Sequence, residues 1–372
     1  MRAHRTMSVS LDLQRQTAHQ RFLAEGHDLV FGDAADCPLP PVRLAQLTPT
    51  SPEVLRSCEE GLTARVYCVE GARGRYAVKQ ARESCLVQNP DGQTSFINEL
   101  CRHREIREQR RLEPDRFPGV VAPLYGSLRE GLIVSPWIDG ERVDDWTERR
   151  LLQVFETGRA LLEHGFFEWD YSPGNVLDDG QQVWLFDFGY QYRFDPLTQF
   201  NSAGHGDDQP MFHLAERLET RNLFAWLLKL EGAGQMPLAL ARFRLTKEIA
   251  VETYQHLRAT LAARGAKPHV LDWLSGIVAE WQQALRGDLG VLYLREGWRS
   301  HVLDLDDDLR GRTCTPSTLA RCDWLLAALQ AEGETLQRVG AFFGEDRDLT
   351  RAQRRQRYEA LRREAERYQI SP

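Results

Sequence analysis

The sequence predicts an α+β fold in two unequal parts: a small antiparallel sheet carrying one helix, then a larger, mainly helical part. Three observations lead there. Short β-prone runs separated by glycine turns recur from residue 53 to about 139. One long, polar, Pro-free stretch at residues 94–112 interrupts them. Beyond residue 140, apolar residues return mostly at helical spacing.

In order, residues 1–52 form an N-terminal arm and a Pro/Thr-rich connector. Residues 54–56, 64–69 and 75–78 read as a strand meander, and residues 89–93 (Asn-Pro-Asp-Gly-Gln) as a loop. The helix at 94–112 stops at Phe117-Pro118-Gly119, and residues 120–124 and 131–134 read as further strands. Helices are expected over 145–164, 223–230, 249–264, 273–285, 322–343 and 351–368. The last is highly charged, but acids interleave its arginines, which marks a solvated surface helix and not a nucleic-acid arm. The expected divisions are 1–52, 53–139, 140–300 and a helical C-terminal extension at 301–372.

Bulk properties exclude several function classes. At 372 residues and a net charge of -7, the chain has no general basic field to draw it onto nucleic acid or anionic lipid. No apolar run reaches membrane-span length, and the Arg-containing N-terminus lacks the apolar stretch of a secretory signal. The seven cysteines are scattered without a CxxC pair, which suits a reducing, cytoplasmic setting.

The chemistry concentrates in residues 168–190. Asp170 and Asp187 bracket Asn175, with a Pro173-Gly174 turn, an Asp178-Asp179-Gly180 turn and a short strand at 183–186 between them. A carboxylate to orient a hydroxyl, then an amide and a carboxylate to hold magnesium, is what phosphoryl transfer from ATP requires. The four-residue gap between Asp170 and Asn175, followed by Asp187-Phe188-Gly189, resembles the catalytic and metal-binding loops of the protein-kinase-like superfamily. That resemblance covers about residues 53–230. It implies a two-lobed kinase-like fold that binds ATP and Mg2+ and transfers the γ-phosphate to a hydroxyl.

Residue by residue, the resemblance makes Asp170 the catalytic carboxylate and Asn175 and Asp187 the metal ligands. Lys79 closes Tyr76-Ala77-Val78-Lys79 and resembles the strand-borne lysine that grips the α- and β-phosphates, where a compact ammonium suits a point contact. Its partner on the long helix is Glu99 in Phe96-Ile97-Asn98-Glu99, or Glu105, with Glu108 at a similar distance from Phe117. Glu99 is preferred. The phosphate-covering loop is residues 59–67, where only Gly61 of the three glycines is kept and Glu59 and Ala64 occupy the others; Val66 suits an adenine ceiling. Residues 135–140 resemble the inter-lobe hinge.

Departures narrow the reading. Glu168-Trp169 stands where the family has His-Arg, which argues against control through a phosphorylated activation loop. Ser172 replaces the lysine usual in Ser/Thr protein kinases, and Asp-x-x-Pro-Gly-Asn is similar to aminoglycoside, choline and lipopolysaccharide kinases. Residues 214–217 (Leu-Ala-Glu-Arg) are a loose stand-in for Ala-Pro-Glu. His205 and Asp207 lie in a Gly/Asp-rich loop that could touch substrate. The expected function is therefore an atypical kinase. Its hydroxyl acceptor is a protein Ser/Thr by preference, with a small-molecule, sugar or lipopolysaccharide hydroxyl as the alternative. A nucleotide-binding pseudokinase or scaffold, and AMP transfer, are readings of other classes.

Overall fold

Strand alternation organises the first part of the chain. Along Gly74–Ala81, Tyr76, Val78 and Gln80 are buried on one face while Ala77 and Lys79 take the other. A computed structural model describes residues 11–59, 61–87, 89–203 and 211–370. The chain is α+β: a six-stranded antiparallel sheet followed by a mostly helical remainder.

The elements run α1 (Leu11–Ala24), β1 (Val30–Gly32), α2 (Pro41–Leu44), β2 (Val54–Cys58), β3 (Ala64–Gly71), β4 (Gly74–Ala81), α3 (Pro90–Leu112), β5 (Tyr125–Ser127) and β6 (Leu132–Pro136). Sheet order is β1-β5-β6-β4-β3-β2. Tyr76, Val78, Leu132 and Val134 pack with Tyr67, Val69 and the Leu44 and Leu47 side chains beneath one face. Gln80 ties that layer down by donating to the Leu44 carbonyl at 2.6 Å. Ile133 and Phe31 meet Leu100 of α3 on the other face.

Then follow β7 (Glu141–Arg142), α4 (Glu148–Glu163), β8 (Phe166–Glu168), β9 (Val176–Asp178), β10 (Val183–Leu185) and β11 (Gln191–Arg193). The helical remainder comprises α5 (Leu214–Leu218), a widened π turn (Glu219–Leu223), α6 (Phe224–Gly232), α7 (Met236–Ala263), α8 (Pro268–Arg286), α9 (Leu289–Gly311), α10 (Pro316–Arg338) and α11 (Arg351–Arg367). A large apolar core joins α4–α8 to β8–β10. A second, around Trp298, Leu325 and Tyr358, joins α9–α11.

Several expectations shift. The arm before residue 53 supplies β1 to the sheet edge and α1, whose Arg15 bonds Asp91 of α3 at 2.5 Å and covers the Tyr192 ring. The 89–93 loop is instead the start of α3: Asn89 accepts from the Gly92 amide and Pro90 takes the first helical position, where its missing N–H costs nothing. Residues 120–124 are not a strand; Val120 and Val121 instead bridge to Leu185, and pairing with β6 occurs at β5. The division at residue 300 falls inside α9, a helix not among those expected from the sequence. All seven cysteines are free thiols. Among the described residues, no helix is long and apolar enough to cross a membrane.

Candidate active site

The register of β3 and β4 places Val66 directly opposite Lys79, so the two share a sheet face. From there the Lys79 ammonium reaches Glu99 Oε2 at 2.6 Å and Asp187 Oδ2 at 2.8 Å. Burial alone would lower the lysine's pKa, but the Asp187 and Glu99 carboxylates outweigh it and hold the ammonium well above its ordinary value. Burial pushes Glu99 up, and Lys79 and a hydrogen bond from His103 more than offset that, leaving the carboxyl below its usual range.

Glu105 is not part of this group. It lies six residues along α3 from Glu99, about 240° around the helix, and pairs with Arg102 at 2.6 Å and with Arg193 at 3.7 Å. Glu108 is exposed. Distance to the following Phe-Pro was therefore the wrong criterion; helix face decides the partner.

The β9–β10 hairpin brings the other members together. Asp170 leads into it from β8, Asn175 ends the short turn before β9, and Asp187 follows β10. The Phe186 amide closes the loop onto the Asn175 carbonyl at 3.3 Å. Asn175 Nδ2 donates to Asp170 Oδ2 at 3.0 Å, which leaves its amide oxygen as the atom available to a cation. Asp187 adopts φ 65°, a left-handed conformation that a non-glycine residue holds only where its surroundings enforce it. Burial raises its carboxyl above the ordinary range; Lys79 opposes this, and the charges of Glu99 and Asp170 add to it. A carboxylate raised in this way, with one lysine against several acids, sits where a cation would be stabilised. Among the described residues, no three His, Cys, Asp or Glu side chains converge to hold a metal by themselves.

Two glycines sit in tight surroundings. A Cβ at Gly189 would stand 3.0 Å from the Ser95 Cβ, so glycine lets α3 close onto the loop after Asp187. A Cβ at Gly61 would stand 2.5 Å from the Ala64 carbonyl oxygen, and Arg82 holds the Gly61 carbonyl at 2.8 Å. Residues 61–64 thus make a tight turn leading into β3. Residues 135–140 continue β6 out of the sheet, with the Trp137 amide on the Arg75 carbonyl. His205 and Asp207 lie outside the described residues.

Four contributors were missed or undervalued in the sequence. Asn98 donates one amide group toward the carbonyls of Phe188, Gly189 and Gln191, fastening α3 to the loop after Asp187. It lies beside Glu99 in the quoted motif, which was its only signal. Glu168 is buried; it accepts from the Asp170 amide at 2.8 Å and from Gln191. Burial, then the charges of Asp170 and Asp187, push its carboxyl well above the ordinary value against the Asp170 amide bond. Arg221, in the π turn, meets Asp170 Oδ1 at 3.2 Å and pairs with Asp304 of α9. Asp304 is also held by Arg321 of α10 at 2.8 Å. Residues 214–217 form buried α5, where Arg217 donates to the Trp169 carbonyl at 3.1 Å and meets Asp307 of α9.

No protein-family profile matches the chain, and no curated protein matches it. Among solved structures, 51 chains match, including one described as the structure of vaccinia related kinase 3. It is 14% identical with a TM-score of 0.28, over 38% of this chain and 48% of that one. The chain thus spans about half the length of the structure it matches.

Proposed function

We propose that the chain is an ATP- and magnesium-dependent phosphotransferase of kinase-like, two-lobed design, with the sheet and α3 as the smaller lobe. The observation that carries this reading is the Lys79 ammonium held between Glu99 and Asp187, in one site with Asp170 and Asn175. Glu99 fixes the lysine, leaving it oriented toward the α- and β-phosphates of ATP. Asp170 would accept the proton of an acceptor hydroxyl as its oxygen bonds the γ-phosphorus and the bond to the β-phosphate oxygen breaks, releasing ADP. Asn175 steadies that carboxylate, and Arg221 balances its charge. Magnesium, when bound by Asp187 and the Asn175 amide oxygen, supplies neutralisation of phosphate charge; two side chains and substrate oxygens suit that ion better than an all-protein cage. The alternation of β4, the register with Val66 and the turn at Gly61 support a nucleotide lying under β3.

The test is incubation with γ-labelled ATP and magnesium, alone and with cell extract, followed by mass spectrometry of labelled species. Wild-type protein should transfer label to a hydroxyl, on protein or on a small molecule, and Asp170→Ala and Asp187→Ala should not. Thermal stabilisation by Mg-ATP with no transfer to any acceptor, or label arriving only from α-labelled ATP, overturns the reading.

A further inference from the structure

Further along α3 from Glu99, toward the helix C-terminus, lies a groove lined by His103, Ile106, Arg107, Arg110, Arg111 and Pro123, with a cavity volume of about 240 Å³. Since a single water needs only about 10–15 Å³ of such space, the groove has room for a polyatomic ligand. No carboxylate lines it. Arg107 donates to the Pro123 carbonyl at 3.3 Å, and Arg110 to the carbonyls of Arg116, Phe117 and Val120 at 3.0, 2.8 and 2.7 Å. Among the described residues, none of the three arginines is paired with a carboxylate.

Basic residues in a last helical turn complement the helix dipole. That accounts for their sign but not for a half-buried guanidinium whose acceptors are all neutral. Several other arginines of this chain have a carboxylate, as with Arg150 and Asp178, Arg221 and Asp304, or Arg295 and Glu296, although buried Arg354 also rests on backbone carbonyls. Burial also lowers the pKa of Arg110, with no charge opposing it. His103 adds an independent sign. Its side chain is 3% exposed, its Nδ1 has no hydrogen-bond partner among the described residues, and its Nε2 lies 3.5 Å from Glu99 Oε1.

We propose that this groove binds a phosphate-type oxyanion, free or as a small phosphomonoester, and that His103 links its occupancy to Glu99. The anion supplies the missing counter-charge to Arg107, Arg110 and Arg111 and a partner for His103 Nδ1, while the other ring nitrogen of His103 faces Glu99. Occupancy then favours the position of α3 in which Glu99 holds Lys79, and by linkage nucleotide and anion strengthen each other's binding. The link to Lys79 rests on the nucleotide reading above; the anion site does not.

The test is calorimetric titration of the full chain with inorganic phosphate and, separately, glycerol 3-phosphate at matched ionic strength. One saturable site is expected for at least one ligand, kept in Lys79→Met and weakened about tenfold or more in Arg107→Gln/Arg111→Gln, whose melting temperature should equal wild type. Phosphate alone binding identifies a free anion; both binding identifies a phosphomonoester site. No saturable binding of either, binding unchanged in the double variant, or binding lost in Lys79→Met overturns the proposal. Failure of nucleotide binding with phosphate binding preserved would instead sink the nucleotide reading and leave the groove assignment standing.

Discussion

Replacing Lys79 by Met isolates the charge at the centre of the site. Methionine keeps an unbranched stem, so the main loss is the cation between Glu99 and Asp187. The Glu99 side chain is 4% exposed, and without Lys79 it must stay charged in the interior or take a proton. Protonation sets the ceiling: from an ordinary carboxyl pKa of ~4.3 to pH ~7 is ~2.7 units at ~1.36 kcal/mol each, or ~3.7 kcal/mol. That falls within the ~3–5 kcal/mol typical of breaking a buried pair from one side. The sign with pH then inverts. In the wild type the Glu99 pKa is depressed, so its stabilisation is present above ~4.3 and lost as pH falls. In the variant its pKa is raised, so stability is fullest below ~4.3 and lost as pH rises; at pH ~5 the ceiling shrinks to ~1 kcal/mol. Urea unfolding of wild type, Lys79→Met, Glu99→Gln and the double variant at both pH values should give a coupling of ~2 kcal/mol or more at pH ~7, much reduced at pH ~5. Additivity within ~0.5 kcal/mol, or a penalty equal at the two pH values, would refute the assignment of Glu99 as the buried partner.

Glu168→Gln should raise the melting temperature at neutral pH, with a gain of ~1 kcal/mol or more that fades toward pH ~4. Burial raises the Glu168 pKa, so the wild type gives up stability as pH climbs above ~4.3, whereas glutamine does not. Gln191 Oε1, without a hydrogen-bond partner among the described residues, can turn to accept from the new amide; a gain independent of pH would contradict this. Arg221→Ala should slow phosphoryl transfer on the order of 10–100-fold with nucleotide affinity unchanged, and Arg221→Lys should restore part of the rate. A change in KM for ATP with kcat intact would show that Arg221 is not positioning Asp170.

Local signals made parts of this chain legible. The alternation Tyr76, Val78, Gln80 marks β4, and the turn residues around Gly180 mark the β9–β10 hairpin that brings Asp170, Asn175 and Asp187 together. Elements failed where one residue type serves two purposes. Asn89, Pro90, Asp91 and Gly92 have loop composition, yet a side-chain cap followed by a first-turn proline is also how a helix begins. The acidic run at Asp304, Asp306, Asp307 and Asp308 hides α9, because Asp304 and Asp307 are matched by the distant Arg221 and Arg217. Strand β1 has three residues, too few to show a period, and is held by its pairing with β5. Long-range partners left no local trace: Arg221 is 51 residues from Asp170 and 83 from Asp304.

Those partners change what the departure at Trp169 means. On the phosphotransferase reading, the resemblance expects an arginine just before the catalytic carboxylate, poised to meet a phosphorylated loop. Here a guanidinium does stand beside Asp170, but it comes from the π turn before α6. Its second partner is Asp304, a carboxylate built into α9 and gripped in turn by Arg321 of α10. A phosphate can be added and removed; a buried side chain cannot. The counter-charge that a modified loop would provide on demand is therefore supplied permanently by the fold, and helices α9 and α10 belong to the construction of the site. Cutting the Asp304 link should disturb Asp170 even though Asp304 makes no contact with it, because burial raises the stakes of every unmatched charge along the Asp170–Arg221–Asp304–Arg321 chain.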